Sequence, residues 1–277
     1  MELIRADLHN HLRTSSNLKD GDFKEAIDCA SVRMRNFYSC MYDSMLGVVD
    51  FEDNRYEKFS ELNIYKGYER FFPGDEKRVF YVPEKRVFVV RGQEVPTSDG
   101  HLLVLASGIN TRIKSGRSVD DTIKEAKDDN AILVIDHPFH VNGLGNYIIR
   151  NPDILNDIDA IEVHNGEAAI GVPFFNKPLP QGANKRAQEF YKMVKEDFPH
   201  LGALASSDGH SFYEIGSSWT EMEKPSLESE AEFLEQFRNS IRNTRNSKKQ
   251  MFGSVFGAMD HILDLATISL IDKIRLN

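Results

Sequence analysis

Cysteine is nearly missing from this chain: Cys29 and Cys40 are its only two in 277 residues. Two thiols exclude a disulfide framework and a four-thiolate zinc site. Their apolar surroundings predict reduced, buried side chains. Long apolar runs are also missing. No stretch approaches the roughly 18 residues a membrane-spanning helix needs, so no membrane partner is expected. Met1 to Asp7 shows no basic region followed by an apolar run, so no secretory signal is expected and the cytoplasm is the default compartment. There is no Ser/Gly linker, no internal repeat and no nucleotide P-loop. Positive charge is in deficit as well: 34 Lys+Arg against 43 Asp+Glu leave a net charge of -9. That balance argues against a long nucleic acid held by phosphate neutralisation. Taken alone, it also fits poorly with any phosphate substrate. The basic cluster Arg238, Arg242, Arg245, Lys248 and Lys249 reads as a solvated helix face and tail.

What is present is an alternation of short apolar runs with amphipathic segments. Strands are expected at Leu3–Leu8, Phe37–Tyr42, Val79–Val82, Val87–Val95, Leu102–Ala106, Ala131–Ile135, Ala160–Val163 and Leu201–Ala205. Helices are expected at Phe23–Arg33, Ser118–Asp129 with Ser118 as N-cap, Asn151–Asn156, Asn184–Phe198, Ser226–Asn243 and His261–Leu270. Such alternation predicts a parallel α/β architecture, and a barrel of seven or eight strands fits the length. Residues 44–80 stand apart, rich in Tyr, Phe and charge and weakly periodic. They read as an insertion or lid over a site, or as a loop region with a small core of its own. Residues 211–277 are expected to complete the barrel of a single domain, 1–277.

The histidines carry the signal. His9 and His11 follow the first strand in Asp7-Leu8-His9-Asn10-His11, and residues two apart on an extended segment point to the same side. Asp7 shares that parity. Imidazole and carboxylate together suit Zn, Mn or Fe rather than Ca. Asp136-His137-Pro138-Phe139-His140 follows another strand, Ser207-Asp208-Gly209-His210 another, and Glu162-Val163-His164-Asn165 ends one more. A turn at Pro96–Gly100 would fold two strands into a hairpin and bring Glu94 and His101 to one end. In parallel α/β folds sites are built at the carboxyl ends of strands. Six or more candidate ligands at five such places exceed the four of a closed structural zinc site, which implies two or three ions and catalysis.

These motifs resemble the PHP (polymerase and histidinol phosphatase) family of metal-dependent phosphoesterases. The resemblance rests on Asp7-Leu8-His9-Asn10-His11, Gly92-Gln93-Glu94-Val95, Gly100 to Leu105, Asp136-His137-Pro138, Ile161-Glu162-Val163 and Ser207-Asp208-Gly209-His210, in the family's order. It implies a distorted (β/α)7 TIM-like barrel, two or three divalent ions (Zn, Mn or Fe, with Mg a further candidate) and hydrolysis of phosphate esters. It carries ligand roles onto His9, His11, Glu94, His137, Asp208 and His210, and also onto His101, whose placement varies among subfamilies. The family's Thr-Asp-His triplet, which ends the second strand, is matched most nearly by Tyr42-Asp43-Ser44. That keeps Asp43 and puts Ser44 where a histidine would stand, which calls the third ion into question.

The expected chemistry is attack by a metal-activated water on a small phosphomonoester or nucleotide-type substrate. Glu94, Asp208 and His137 form its catalytic core. Glu94 is the candidate bridging carboxylate; His9, His11 and Asp208 would hold one ion, His137 and Glu94 another, and His210 completes the set. Asp7 is expected to orient a ligand imidazole, with Asp43 and His164 as further second-shell or ligand candidates. Arg13, Arg117 and His140 are candidates for contacting the substrate phosphate. Two alternatives remain: an amidohydrolase-like enzyme cleaving C–N bonds, for which no bridging lysine is seen, and a degenerate, non-catalytic barrel. No polymerase or helix-hairpin-helix segment is recognised, so a small phosphorylated substrate is expected and extended nucleic acid is set aside. The oligomeric state is left open.

Overall fold

The structure is a computed structural model, and it describes residues 2–13, 18–34, 43–50, 54–61, 77–167, 181–226 and 228–244. Among them are nine strands: β1 (Leu3–Asp7), β2 (Asp43–Asp50), β3 (Val79–Val82), β4 (Val87–Pro96), β5 (His101–Leu105), β6 (Ile132–Ile135), β7 (Ala160–Asn165), β8 (Gly202–Ser206) and β9 (Thr220–Glu223). The helices are α1 (Asp20–Met34), α2 (Arg55–Glu61), α3 (Val119–Asp128), α4 (Gly145–Arg150), α5 (Gln181–Val194) and α6 (Glu230–Arg242), with a 3₁₀ turn at Pro152–Asp157.

One sheet runs β8-β7-β6-β5-β4-β2-β1-β9, with β3 added on β4, and curls into a nearly closed barrel. The expected α/β barrel is therefore present, but it is not wholly parallel. β1–β2, β2–β4, β6–β7 and β7–β8 pair parallel, whereas β3–β4, β4–β5, β5–β6 and β1–β9 are antiparallel. For β4–β5 and β5–β6 the cause lies in the Pro96–Gly100 turn. It is too short for a crossover, so β5 returns beside β4 with His101 opposite Pro96 and Leu103 opposite Glu94. The seam between β8 and β1/β9 is closed without a full ladder. Asn10 and Gly209 form an isolated bridge. The Thr220 hydroxyl accepts from Ala205 N–H at 2.8 Å and donates to the Ala205 carbonyl at 3.0 Å.

Burial follows the layers. Ile4, Ala6, Met45, Phe88, Val90, Leu103, Val134 and Leu204 fill one core with Phe233 and Phe237 of α6. A second core packs α3, α4 and α5 on the sheet through Val119, Ile123, Ile148 and Phe190. A third packs α1 and α2 through Phe23, Ile27, Tyr56 and Phe59. Each such side chain contributes about 1.5–3 kcal/mol on removal from water. Helix starts match their sequence signals. Ser118 caps α3 by accepting from Asp121 N–H at 3.1 Å, and Ser229 caps α6 through Glu232 N–H at 3.2 Å. Arg238 and Arg242 do not lie simply on a solvated face, since Arg242 bonds Asp159 at 2.7 Å and Arg238 bonds the Asn130 side chain at 2.9 Å.

β2 occupies Asp43–Asp50, a stretch not expected to form a strand. Phe37–Tyr42 lies outside the described residues, as does His261–Leu270, and β2 begins at Asp43. Asp43 and Ser44 pair with Ile4 and Arg5 at the opening of β1. They therefore sit at the opposite end of the barrel from the histidines. Asp43 is spent there on Arg86 (2.6 Å) and Lys224 (2.5 Å). Of the segment 44–80, residues 44–50 belong to β2, 55–61 to α2 and 79–80 to the start of β3. No helix among the described residues is long and apolar enough to cross a membrane.

Candidate metal centre

Six strand ends converge at one end of the barrel. His9 and His11 follow β1, Glu94 lies near the end of β4, and His101 opens the antiparallel β5. Asp136 and His137 follow β6, Glu162 to Glu167 end β7, and Asp208 and His210 follow β8. The two carboxylate oxygens of Glu94 face different histidines. Oε2 lies 3.1 Å from His11 Nε2 and 3.9 Å from His9 Nε2. Oε1 lies 3.0 Å from His137 Nε2 and also contacts His101 Nδ1. Asp208 Oδ1 lies 3.3 Å from His9 Nε2 and 3.6 Å from His11 Nε2.

This set fits divalent metal better than it fits internal hydrogen bonding. His9 is fully buried, yet neither of its ring nitrogens has a hydrogen-bond partner; the same holds for both oxygens of Asp136 and for Asp208 Oδ1. Buried polar atoms left so are costly. Donors held about 2.1 Å from a tetrahedral ion stand about 3.4 Å from one another, close to the separations seen. Three groups have donor atoms within 4.8 Å of one another: Glu94, His101, Asp136 and His137; His9, His11 and Asp208; and Glu167, Asp208 and His210.

Without metal the charges are strained. Burial opposes ionisation of Glu94, but hydrogen bonds from His101, His11 and His137 hold its carboxyl well below the usual range. Burial works against a charged His137, yet Asp136, Glu94 and Asp208 outweigh it and raise it to about 10. His11 is pushed down to about 4 by burial and by its neighbour His210. Asp136 rises to about 7 and Glu167 to about 9, each chiefly through burial. His137 and Asp208 also hold left-handed backbone, at φ 23° and 51°, a conformation uncommon for such residues and found at sites the surrounding fold enforces.

Around these donors lies a shell that the sequence showed only in part. Glu162 Oε2 accepts from His137 N–H at 2.8 Å and from Asn165 Nδ2 at 2.8 Å, and its Oε1 stands 3.5 Å from His9 Nδ1. Glu162, and not Asp7, thus stands beside Nδ1 of the His9 imidazole. Asp7 instead accepts the Ser207 and Gly216 N–H groups, at 2.9 and 2.7 Å, and fixes the loop that carries Asp208 and His210. Asn165 donates to Asp208 Oδ2 at 3.0 Å, which leaves Oδ1 toward the histidines. The Arg55 guanidinium binds the carbonyls of His11 and Arg13, and Arg55 N–H is held by Asp50 at 2.7 Å.

Some expected residues lie apart. A bulge in β7 between Glu162 and His164 breaks the alternation that would put both on one face. His164 meets Asn184 of α5 at 3.4 Å. Arg13 lies near Asp22 (4.0 Å) and over the Phe212 ring, and Arg117 pairs with Glu125. Neither lines the pocket, whereas His140 does, with Glu94, His101, His137, Glu167, Asp208 and His210, around about 200 Å³.

A family model described as PHP-associated matches residues 181–240. Over that stretch the chain is similar to the PHP-associated family. No curated protein sequence matches it. Among solved structures, PsfC from Pseudomonas syringae PB-5123 is similar at a TM-score of 0.59 and 19% identity, over 96% of this chain and 100% of that one. The lesion-specific endonuclease PfuEndoQ from Pyrococcus furiosus is similar at 0.55 and 16%, over 89% of this chain and 57% of that one. An endonuclease Q complex with a 27-mer duplex, an abasic lesion at its active site, is similar at 0.55 and 15%, over 89% and 58%. At these identities the likeness is one of fold, and the chain spans little more than half the length of endonuclease Q.

The shared fold corrects one expectation. A long nucleic acid was set aside on a net charge of -9, yet a chain of this fold holds a DNA duplex at its active site. Net charge sums the whole surface, whereas the field at a barrel mouth is set by nearby groups and bound ions.

Proposed function

We propose that this chain is a metal-dependent hydrolase of phosphate esters. The observation that carries the reading is Glu94, whose two oxygens face separate histidine pairs while Asp208 faces the first pair from the other side. His9, His11 and Asp208 would hold one divalent ion and His101, His137 and Asp136 a second, with Glu94 between them. When bound, paired ions lower the pKa of a shared water and clamp phosphoryl oxygens.

The chain's own residues supply the frame for that step. Glu162 stands beside the His9 ring and accepts from the His137 N–H, and Asn165 turns Asp208 Oδ1 inward. His140 lines the pocket and is placed to meet the phosphoryl group or the leaving oxygen. A pocket of about 200 Å³ has room for a phosphoryl group. Both a small monoester and a phosphodiester in a nucleic-acid strand satisfy that demand, the second favoured by the fold shared with endonuclease Q. Against the amidohydrolase alternative, no lysine lines the pocket among the described residues.

Purified protein loaded with Mn, Zn or Fe tests this on p-nitrophenyl phosphate, bis-p-nitrophenyl phosphate, a duplex with an abasic site and a dihydro-ring amide. Hydrolysis of any of the three phosphate esters supports the reading. Turnover of the amide alone would overturn it, and a protein that retains no metal would point to the degenerate barrel.

A further inference from the structure

The pocket lining divides into two kinds of residue. Glu94, His101, His137, Glu167, Asp208 and His210 all belong to the groups of metal-type donors. What is left is one consecutive run, His140, Val141 and Asn142. It forms a lip on the loop between β6 and α4.

The backbone of that lip is pinned. His140 N–H bonds the His137 carbonyl at 2.9 Å, Gly143 N–H bonds the His140 carbonyl at 3.2 Å, and Gly145 N–H bonds the Pro138 carbonyl at 2.6 Å. From the β4–β5 turn, His101 N–H bonds the Asn142 carbonyl at 2.7 Å. The approach is so close that a Cβ on Gly100 would stand 2.7 Å from that same oxygen. Phe139 anchors the loop on α5, with its ring 5.6 Å from that of Phe190 and 4.4 Å from the Arg186 guanidinium above it. Backbone held in this way presents its side chains at fixed places, which lowers the ordering cost of recognition.

The side chains on that backbone are unspent. Val141 is 69% exposed although it is apolar and lines a pocket. The Asn142 carboxamide makes no hydrogen bond to another described residue. Left-handed backbone at Asn142, φ 60°, suits asparagine, but it does not call for an apolar neighbour at the mouth of a pocket. A single exposed valine needs no explanation. A valine and a free amide, side by side on a pinned lip, match the mixture of apolar contact and few placed polar groups that ligand sites use. The donor groups take the phosphoryl end of an ester, so the lip meets its organic end. Neither Val141 nor Asn142 carries a charge to pair with a carboxylate, an ammonium or a second phosphate. A carboxamide both donates and accepts, as the edges of heterocyclic bases do.

We infer that Val141 and Asn142 determine specificity by contacting the organic group of the phosphate ester, and that they select an uncharged group with an apolar face and a hydrogen-bonding edge, as a nucleoside has. The inference rests on the phosphoesterase reading above.

Calorimetry on the metal-loaded full chain tests it with phosphonates, whose C–P bond is not hydrolysed. Methylphosphonate reports the metal side alone, phenylphosphonate adds an apolar face, and an adenosine methylenephosphonate adds a hydrogen-bonding edge as well. Unaltered protein is expected to bind phenylphosphonate about threefold more tightly than methylphosphonate, and the adenosine compound about tenfold more tightly. Asn142→Gly, which suits the left-handed backbone, is expected to bring the adenosine compound down to the level of phenylphosphonate. Val141→Ser is expected to shrink the preference for both. Each preference is read against methylphosphonate on the same variant, so a damaged centre is not mistaken for a lost contact. Glu189→Gln, on the exposed face of α5, is expected to keep both preferences. Equal affinity of the unaltered protein for all three phosphonates overturns the inference, and so do preferences left unchanged in both lip variants. Ester hydrolysis alongside either result keeps the phosphoesterase reading. A protein that binds no phosphonate and hydrolyses no ester defeats both.

Discussion

Glu162→Gln replaces one oxygen by an NH₂ group of almost the same size, so packing is preserved and only hydrogen bonding and charge change. Glu162 serves three neighbours at once. Its Oε2 accepts from His137 N–H and Asn165 Nδ2, each at 2.8 Å, and its Oε1 stands 3.5 Å from His9 Nδ1. Gln has one acceptor oxygen for these two sides. With that oxygen toward His137, the NH₂ meets the hydrogen on His9 Nδ1. The His9 tautomer that frees Nε2 for a metal is then opposed. Turned the other way, the NH₂ faces two donors, and the loop carrying His137 loses its anchor. Neither orientation is satisfied. Removing such outer partners of ligating histidines costs about 10–100-fold in metal affinity, or about 1.4–2.7 kcal/mol. Competition with a chromogenic chelator measures it, using Glu189→Gln as the control. The loss should be greatest for the ion beside His9, visible as reduced anomalous occupancy there. Affinity within twofold of the unaltered protein would refute the role given to Glu162.

Asp43→Asn should leave metal content and turnover unchanged but lower stability to urea by about 1–3 kcal/mol, because Asp43 serves Arg86 and Lys224 at the far end of the barrel; loss of a bound ion would contradict that placement. Gly143→Ala should lower the thermal midpoint and weaken the ion beside His137, since the new Cβ would fall on the His137 carbonyl; an unchanged midpoint would show that the loop gives way freely. Metal uptake at pH 7 should release protons. Without metal, His137 titrates near 10 and Glu167 near 9, so both are protonated at pH 7 and must deprotonate to bind. Affinity should therefore climb with pH between 7 and 9, and binding heats should change with the ionisation heat of the buffer; no buffer dependence would refute this.

The fold was legible wherever an apolar run was short and ended in a turn or cap. The Pro96–Gly100 hairpin, the α3 cap at Ser118 and the runs before Asp136 and Ser206 all carry local signals. The second strand was not. Its run Met45 to Val49 directly precedes an aromatic, charged stretch and was grouped with it. The convergence of His9, His11, Glu94, His137 and Asp208 was readable because strand ends in such barrels share one rim. Glu162 and His164 could not be told apart, since simple alternation puts both on one face and nothing in Ile161-Glu162-Val163-His164 marks the bulge. Asp7 was expected to orient a ligand imidazole, but its partners are backbone N–H groups of Ser207 and Gly216, and backbone donors leave no trace in residue types. Glu167 had a signal, a carboxylate just past Asn165-Gly166, beyond the point where the strand was taken to end.

The two halves of the centre differ in how far apart their donors lie along the chain. Glu94 and His101 sit on one hairpin, seven residues apart, and His137 follows within the next strand pair; that half can assemble from neighbouring segments. The other half needs His9 beside Asp208, across the seam where Asp7 meets Ser207, 200 residues on. Closing a loop of that size carries a high entropic cost, and distant pairings form slowly. A cation held by His9, His11 and Asp208 therefore acts as a clasp on the barrel. Its binding energy goes into keeping the first and last parallel strands together, so chelation should open the seam before it loosens the hairpin.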